Sequence, residues 1–243
     1  MIVTIHNDQL TLTADTLGAQ MQSITSYKGT EYLWNGDERY WKGRAPVLFP
    51  FVARLKDKTY TVNGGTYQMK IHGFASACEF EVAEQTESRV TFVLRDNEVT
   101  RAQFPFAFLF KVRYALKEST VEVTYTVDNP EDEMLHFGLG GHPGFNVPLK
   151  EGTSFEDYYL RFSQPCEPDR VGFSSEILVS GVDKRYELEG GQIIRLRHDL
   201  FDHDAIVLKN MAKSVTIASD KTKRYVTVSY CLLYTSPSPR DTR

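Results

Sequence analysis

The sequence predicts an all-β fold built as an antiparallel sandwich, and three observations carry that prediction. Two neighbouring runs between Phe108 and Val127 alternate apolar and polar residues over most of their length, the period of a half-buried strand. Turn-forming clusters of Gly, Asn, Asp and Pro recur along the chain: Asn63-Gly64-Gly65, Asp128-Asn129-Pro130 and Glu189-Gly190-Gly191. No segment of helical length carries an apolar stripe of period 3.6.

The elements follow in order. Residues 1–6 begin directly as a strand, with no charged-then-apolar signal segment before them. Shorter apolar runs at 80–82 and 90–94 predict further strands. In the central pair, Phe108, Phe110, Val112 and Tyr114 face one way, and Lys111 and Arg113 face the other. Val121, Val123, Tyr125 and Val127 repeat the pattern against Glu122, Thr124 and Thr126. Joined by the polar residues Lys117-Glu118-Ser119, these runs form a hairpin. Two more runs, 215–217 and 226–230, close the series. No Pro/Ser-rich linker or internal repeat interrupts residues 1–230, which are expected to form one domain. Residues 231–243 read differently. Their Thr235-Ser236-Pro237-Ser238-Pro239 segment cannot extend a ladder or bury apolar area. They are expected to be a non-native tail on a fold that is C-terminally incomplete, with sheet edges left open.

Composition narrows the functional classes. At 243 residues the chain can bury a large core without disulfides or metal. Its net charge of −4 and lack of a basic stripe argue against nucleic acid or an anionic membrane surface as partner. No apolar run approaches the ~20 residues that span a bilayer. The three cysteines, Cys78, Cys166 and Cys231, are too scattered for a disulfide framework or a zinc site. A cytoplasmic enzyme or binding protein is expected, as a monomer or homodimer.

Candidate chemistry gathers at predicted turns. Gly140-Gly141-His142-Pro143-Gly144-Phe145-Asn146 sets one histidine among glycines, which permit close backbone approach and positive φ. Ile71-His72-Gly73-Phe74 supplies a second histidine beside a glycine. Arg54 ends the apolar, proline-bounded segment 45–54, and its fork of donors suits sugar hydroxyls and carboxylates. Asp202 and Asp204 precede the apolar run 205–208, and Asp204 is the preferred ligand of the two. Trp34, Trp41 and Phe145 offer flat faces for a pyranose ring. Each has a structural reading as well: a capped turn for Arg54, a solvated turn for the aspartates, core packing for an aromatic. Together they make a site of the size and chemistry of a single sugar.

Four segments, read in order, then carry a resemblance. Glu31-Tyr32-Leu33-Trp34-Asn35-Gly36, Ala45-Pro46-Val47-Leu48-Phe49-Pro50, Ile71-His72-Gly73-Phe74 and Gly141-His142-Pro143-Gly144-Phe145-Asn146 resemble the aldose 1-epimerase (galactose mutarotase) family. The likeness runs over about residues 1–230 and is nearest to the bacterial branch of unassigned sugar specificity. It implies a β-supersandwich that interconverts the α and β anomers of a hexose or hexose phosphate. By matching positions it implies that His142 is the acid and that His72 and Arg54 bind hydroxyls and developing charge.

The reaction itself needs only an acid and a base held about a ring. Opening a cyclic hemiacetal removes the C1 hydroxyl proton and protonates the ring oxygen; rotation about C1–C2 and closure complete the exchange. No metal or redox cofactor is expected. Family members place a glutamate base near the C-terminus, yet residues 231–243 contain no glutamate. Glu131 and Glu133, beside a turn, are expected on a solvated face. Ser76 stands where relatives often carry arginine, and Arg44, Arg54 and Lys56 are the cations available for a phosphate. Three alternatives remain. A non-catalytic carbohydrate-binding domain would use the same residues without an acid–base pair. A glycoside hydrolase would need two flanking carboxylates. A metal site built from His72, His142, His203 and Asp204 lacks tight ligand spacing.

Overall fold

A computed structural model of the chain describes residues 1–202 and 205–230. The expected tail, 231–243, lies outside the described residues, as do His203 and Asp204. The backbone divides into two compact units, Met1–Asn146 and Val147–Arg243, and each is described by itself.

The first unit opens with β1 (Ile2–His6), β2 (Leu10–Asp15) and β3 (Gln20–Ser26), an antiparallel sheet in that order. Alternation dictates their inner face: Val3 and Ile5 on β1, and Leu10, Leu12 and Ala14 on β2, are buried while their neighbours face outward. A two-residue strand, β4 (Val47–Leu48), follows, then the hairpin β5 (Thr59–Val62) and β6 (Gly65–Gln68). Asn63 and Gly64 both have positive φ at its turn, as a tight hairpin of native twist requires. Next come β7 (Glu81–Gln85), β8 (Arg89–Arg95), β9 (Leu109–Lys117) and β10 (Thr120–Asp128), a four-stranded antiparallel sheet in the order β10-β9-β8-β7. A short strand, β11 (Gly140–Gly141), pairs with β4.

The hairpin expected from alternation is β9–β10, but its connection is shorter than the sequence suggested. Lys117 pairs with Thr120, which leaves Glu118 and Ser119 as a two-residue loop with Glu118 at φ +50. Two-residue loops with positive φ at the first position match the twist of the flanking strands. On β9, Phe110, Val112, Tyr114 and Leu116 are buried. The edge strand β10 presents Val121, Tyr125 and Val127 to the core, whereas Val123 stays exposed. At the centre Phe49 is fully buried among Phe74, Phe104, Phe108, Phe110 and Phe137. The buried Tyr114 hydroxyl donates to the Ala19 carbonyl at 2.7 Å, so no polar group is stranded there.

The second unit contains β12 (Tyr158–Phe162), β13 (Asp169–Arg170), β14 (Lys184–Arg185), β15 (Ile193–Arg195), β16 (Leu208–Lys209), β17 (Ser214–Ser219) and β18 (Val226–Ser229). They form two antiparallel sheets, β15-β12-β17-β18 and β14-β13-β16. Phe162, Ile194 and Ala212 anchor a small core between flanking apolar residues. Among the described residues the one α-helix, Glu98–Arg101, is four residues long and capped by Asn97. The fold is thus antiparallel and nearly all β.

Candidate active site

Three of the sequence motifs are fastened together by main-chain bonds in the first unit. Gly140 and Gly141 pair with Leu48 and Val47, and the ladder runs on through His142 N–H to the Pro46 carbonyl, 3.1 Å, and Gly144 N–H to the Arg44 carbonyl, 2.7 Å. Trp34 N–H then donates to the Gly144 carbonyl at 2.9 Å. Asn146 closes the join: its side-chain amide donates to the carbonyls of Leu33, 2.7 Å, and Glu31, 3.2 Å. The glycines of this turn therefore work differently from expectation. None of Gly140, Gly141 and Gly144 is among the residues with positive φ, because the segment is held extended against β4. Their value is close approach.

Positive φ appears instead at the other histidine. His72 sits at φ +65 and Gly73 at φ +79, a left-handed conformation that a non-glycine residue adopts at a cost. A Cβ on Gly73 would lie 2.1 Å from the Phe49 carbonyl oxygen, so only glycine fits. That same oxygen accepts from Phe74 N–H, 3.0 Å, and Ala75 N–H, 3.1 Å, which anchors the turn to the buried Phe49. His72 N–H donates to the Ala53 carbonyl at 3.0 Å, and Ala53 N–H donates back to His72 Nδ1 at 3.1 Å. With Nδ1 engaged as acceptor, the proton of the neutral ring belongs on Nε2. Partial burial, and then the nearby His142, hold the His72 imidazole below the usual histidine range.

The two imidazoles face one another, with ring centroids 5.8 Å apart and planes inclined at 67°. His142 is exposed, His72 half-buried. Trp41 lies on the other ring contact of His142, at 5.0 Å and 44°. Of the three aromatics considered, Trp41 is the one beside a histidine. Trp34 donates its indole N–H to the Trp41 carbonyl at 2.8 Å, and Phe145 packs against the main core.

Arg54 follows Ala53 directly, so its main chain is fixed beside His72, and its side chain is exposed. Arg44 is already engaged on one side, where its guanidinium donates to the Gln22 carbonyl at 2.7 Å. Asp202 is exposed at the end of the turn His198–Phe201 in the second unit. Asp204, the preferred aspartate, is outside the described residues. Glu131 and Glu133 are exposed, as expected. One neighbour escaped sequence reasoning. The Tyr125 hydroxyl lies 2.9 Å from where a Cβ on Gly141 would stand, directly against the His142 turn, and burial pushes it up to about 12. Nothing in its strand alternation distinguishes that tyrosine from any other inward residue.

This arrangement offers one solvent-facing imidazole able to give or take a proton, one imidazole locked as an Nε2–H donor, and an aromatic wall. A small polyhydroxylated ligand matches that set.

Known proteins resemble the chain over most of its length. The sequence model of the family described as aldose 1-epimerase matches residues 1–241. The plasmid and chromosomal LacX proteins of Lactococcus lactis subsp. lactis are each 34% identical over 239 residues, which is 95% of this chain and 80% of theirs. A galactose mutarotase related enzyme from Lactobacillus acidophilus superposes with a TM-score of 0.88 at 35% identity, over 93% of this chain and 76% of that one. A galactose mutarotase-like protein from Lactobacillus casei superposes at 0.85 with 32% identity, over 94% and 79%.

Proposed function

The chain belongs to the aldose 1-epimerase family, and from that premise we propose that it opens and recloses the ring of a hexose or hexose phosphate, exchanging its α and β anomers. The observation that carries the reading is the facing pair His72 and His142, 5.8 Å apart and unequal in their surroundings. His142, exposed and with a nitrogen free to exchange protons, is the acid that protonates the ring oxygen. His72, held as an Nε2–H donor by Ala53, stabilises charge developing at that oxygen without itself changing protonation. Arg54 binds hydroxyls beside it; Asp204, the aspartate preferred for further hydroxyls, lies outside the described residues.

A general acid and a general base each contribute roughly 10²–10⁴-fold to such a step. In this reading His142 supplies the acid contribution. The protein acts in the cytoplasm as a monomer or homodimer; among the described residues no helix is long and apolar enough to cross a membrane.

Polarimetry of freshly dissolved α-galactose or α-glucose tests the reading. Anomer exchange should exceed the spontaneous rate and lose that gain in His142→Asn. Unchanged exchange in His142→Asn would remove that residue from the mechanism.

A further inference from the structure

We propose that Trp41 is the positioning residue of the proton donor, its indole holding the His142 ring in the orientation that brings it to His72. The inference rests on the reading of His142 as the acid. An exposed histidine on a turn samples several rotamers unless something restrains its ring. Here the imidazole of His142 makes no hydrogen bond among the described residues; its ring neighbours are Trp41 at 5.0 Å and His72 at 5.8 Å.

Trp41 is held at its main chain and closely packed at its ring. Its N–H donates to the Asp37 carbonyl at 2.9 Å, and its carbonyl accepts the Trp34 indole N–H at 2.8 Å. Its ring lies on two glycines. A Cβ on Gly43 would stand 2.6 Å from the indole Cζ2, and one on Gly144 would stand 2.8 Å from Cζ3. Either side chain would displace the ring. Gly144 belongs to the same turn as His142, so part of the indole's seat and the histidine share one piece of backbone.

An aromatic wall suits an acid that cycles. A carboxylate positioner would occupy one imidazole nitrogen and favour one charge state. The indole packs against the neutral ring at a tilt of 44° and attracts the imidazolium as an aromatic ring attracts a cation, most strongly for Trp. Both nitrogens stay open to ligand.

Nuclear magnetic resonance of the His142 ring protons tests this in the 243-residue chain. In the wild type and in Trp41→Phe they should be displaced by the neighbouring ring current; in Trp41→Leu they should return to ordinary histidine positions. Anomer exchange should fall about tenfold to a hundredfold in Trp41→Leu, with little change in half-saturating sugar, and recover largely in Trp41→Phe. Where Trp41→Leu folds poorly, Gly144→Ala, which pushes the indole aside, should show the same return of the ring protons and the same fall in exchange. Ring-proton positions unchanged in Trp41→Leu would overturn the proposal, as would wild-type exchange in a variant that had lost the displacement. His142→Asn separates the two readings. Full exchange in that variant ends the acid assignment, while the ring-current comparison still decides whether Trp41 orients the imidazole.

Discussion

The main chain of Ala53 clasps His72 from both directions: it donates to Nδ1 at 3.1 Å and accepts the His72 N–H at 3.0 Å. A side chain and its own backbone are thus tied to a single residue, and the ring tautomer follows from the tie. Because Ala53 is also the residue before Arg54, one backbone contact places both candidate ligand-binding groups.

That clasp has a pH signature. Burial and His142 depress the folded-state pKa of His72 below its unfolded value, so the unfolded chain holds the extra proton in the window between them. Stability is therefore full above the unfolded pKa and falls as pH drops through the window toward the folded value. Denaturation midpoints taken from about pH 7 down to about pH 5 should decline less steeply in His72→Gln than in the wild type. Equal slopes would contradict the burial and charge environment described for His72. Nitrogen chemical shifts should report an Nε2–H ring.

Gly73→Ala should be costly out of proportion to one methyl group. The new Cβ would meet the Phe49 carbonyl oxygen, which already accepts two N–H groups, and φ +79 adds backbone strain. A loss of about 1–3 kcal/mol is expected from the strain alone, read from urea unfolding. A variant as stable as wild type would mean the turn can leave Phe49.

Asn146→Ala tests the join between motifs. The carbonyls of Glu31 and Leu33 would lose their amide donor, at about 1–3 kcal/mol for stranded acceptors. Hydrogen exchange should quicken at Trp34 and Gly144, whose main chains are bonded across that join. Protection unchanged at both would show that the backbone ladder suffices without the side chain.

The legible part of the fold is the part that alternates. β9 and β10 were readable because one face is core and the other solvent, and residues 1–6 for the same reason. β4 was not, since Val47, Leu48 and Phe49 are all buried and leave no period to read. Around β5 and β6 the sequence offered the Asn63-Gly64 turn but strands too half-buried to show a pattern. In the site, both histidines were visible as polar residues among turn glycines. Their relationship was not, because it is made by main-chain groups: the Ala53 amide, the Phe49 carbonyl, the Pro46 carbonyl. Trp41 could not be separated from Trp34 for a similar reason. Its seat joins Gly43 to Gly144, residues brought together only by the β4–β11 pairing. Arg44 looked like a free cation until the Gln22 carbonyl claimed it.

Titration of the 243-residue chain with an aldohexose, monitored at the ring resonances of His72 and His142, bears most directly on the central claim. One sugar bound between those imidazoles should move both sets of signals along a single saturation curve. Signals that stay in place while sugar is raised to saturating levels would mean that these histidines do not form a carbohydrate site.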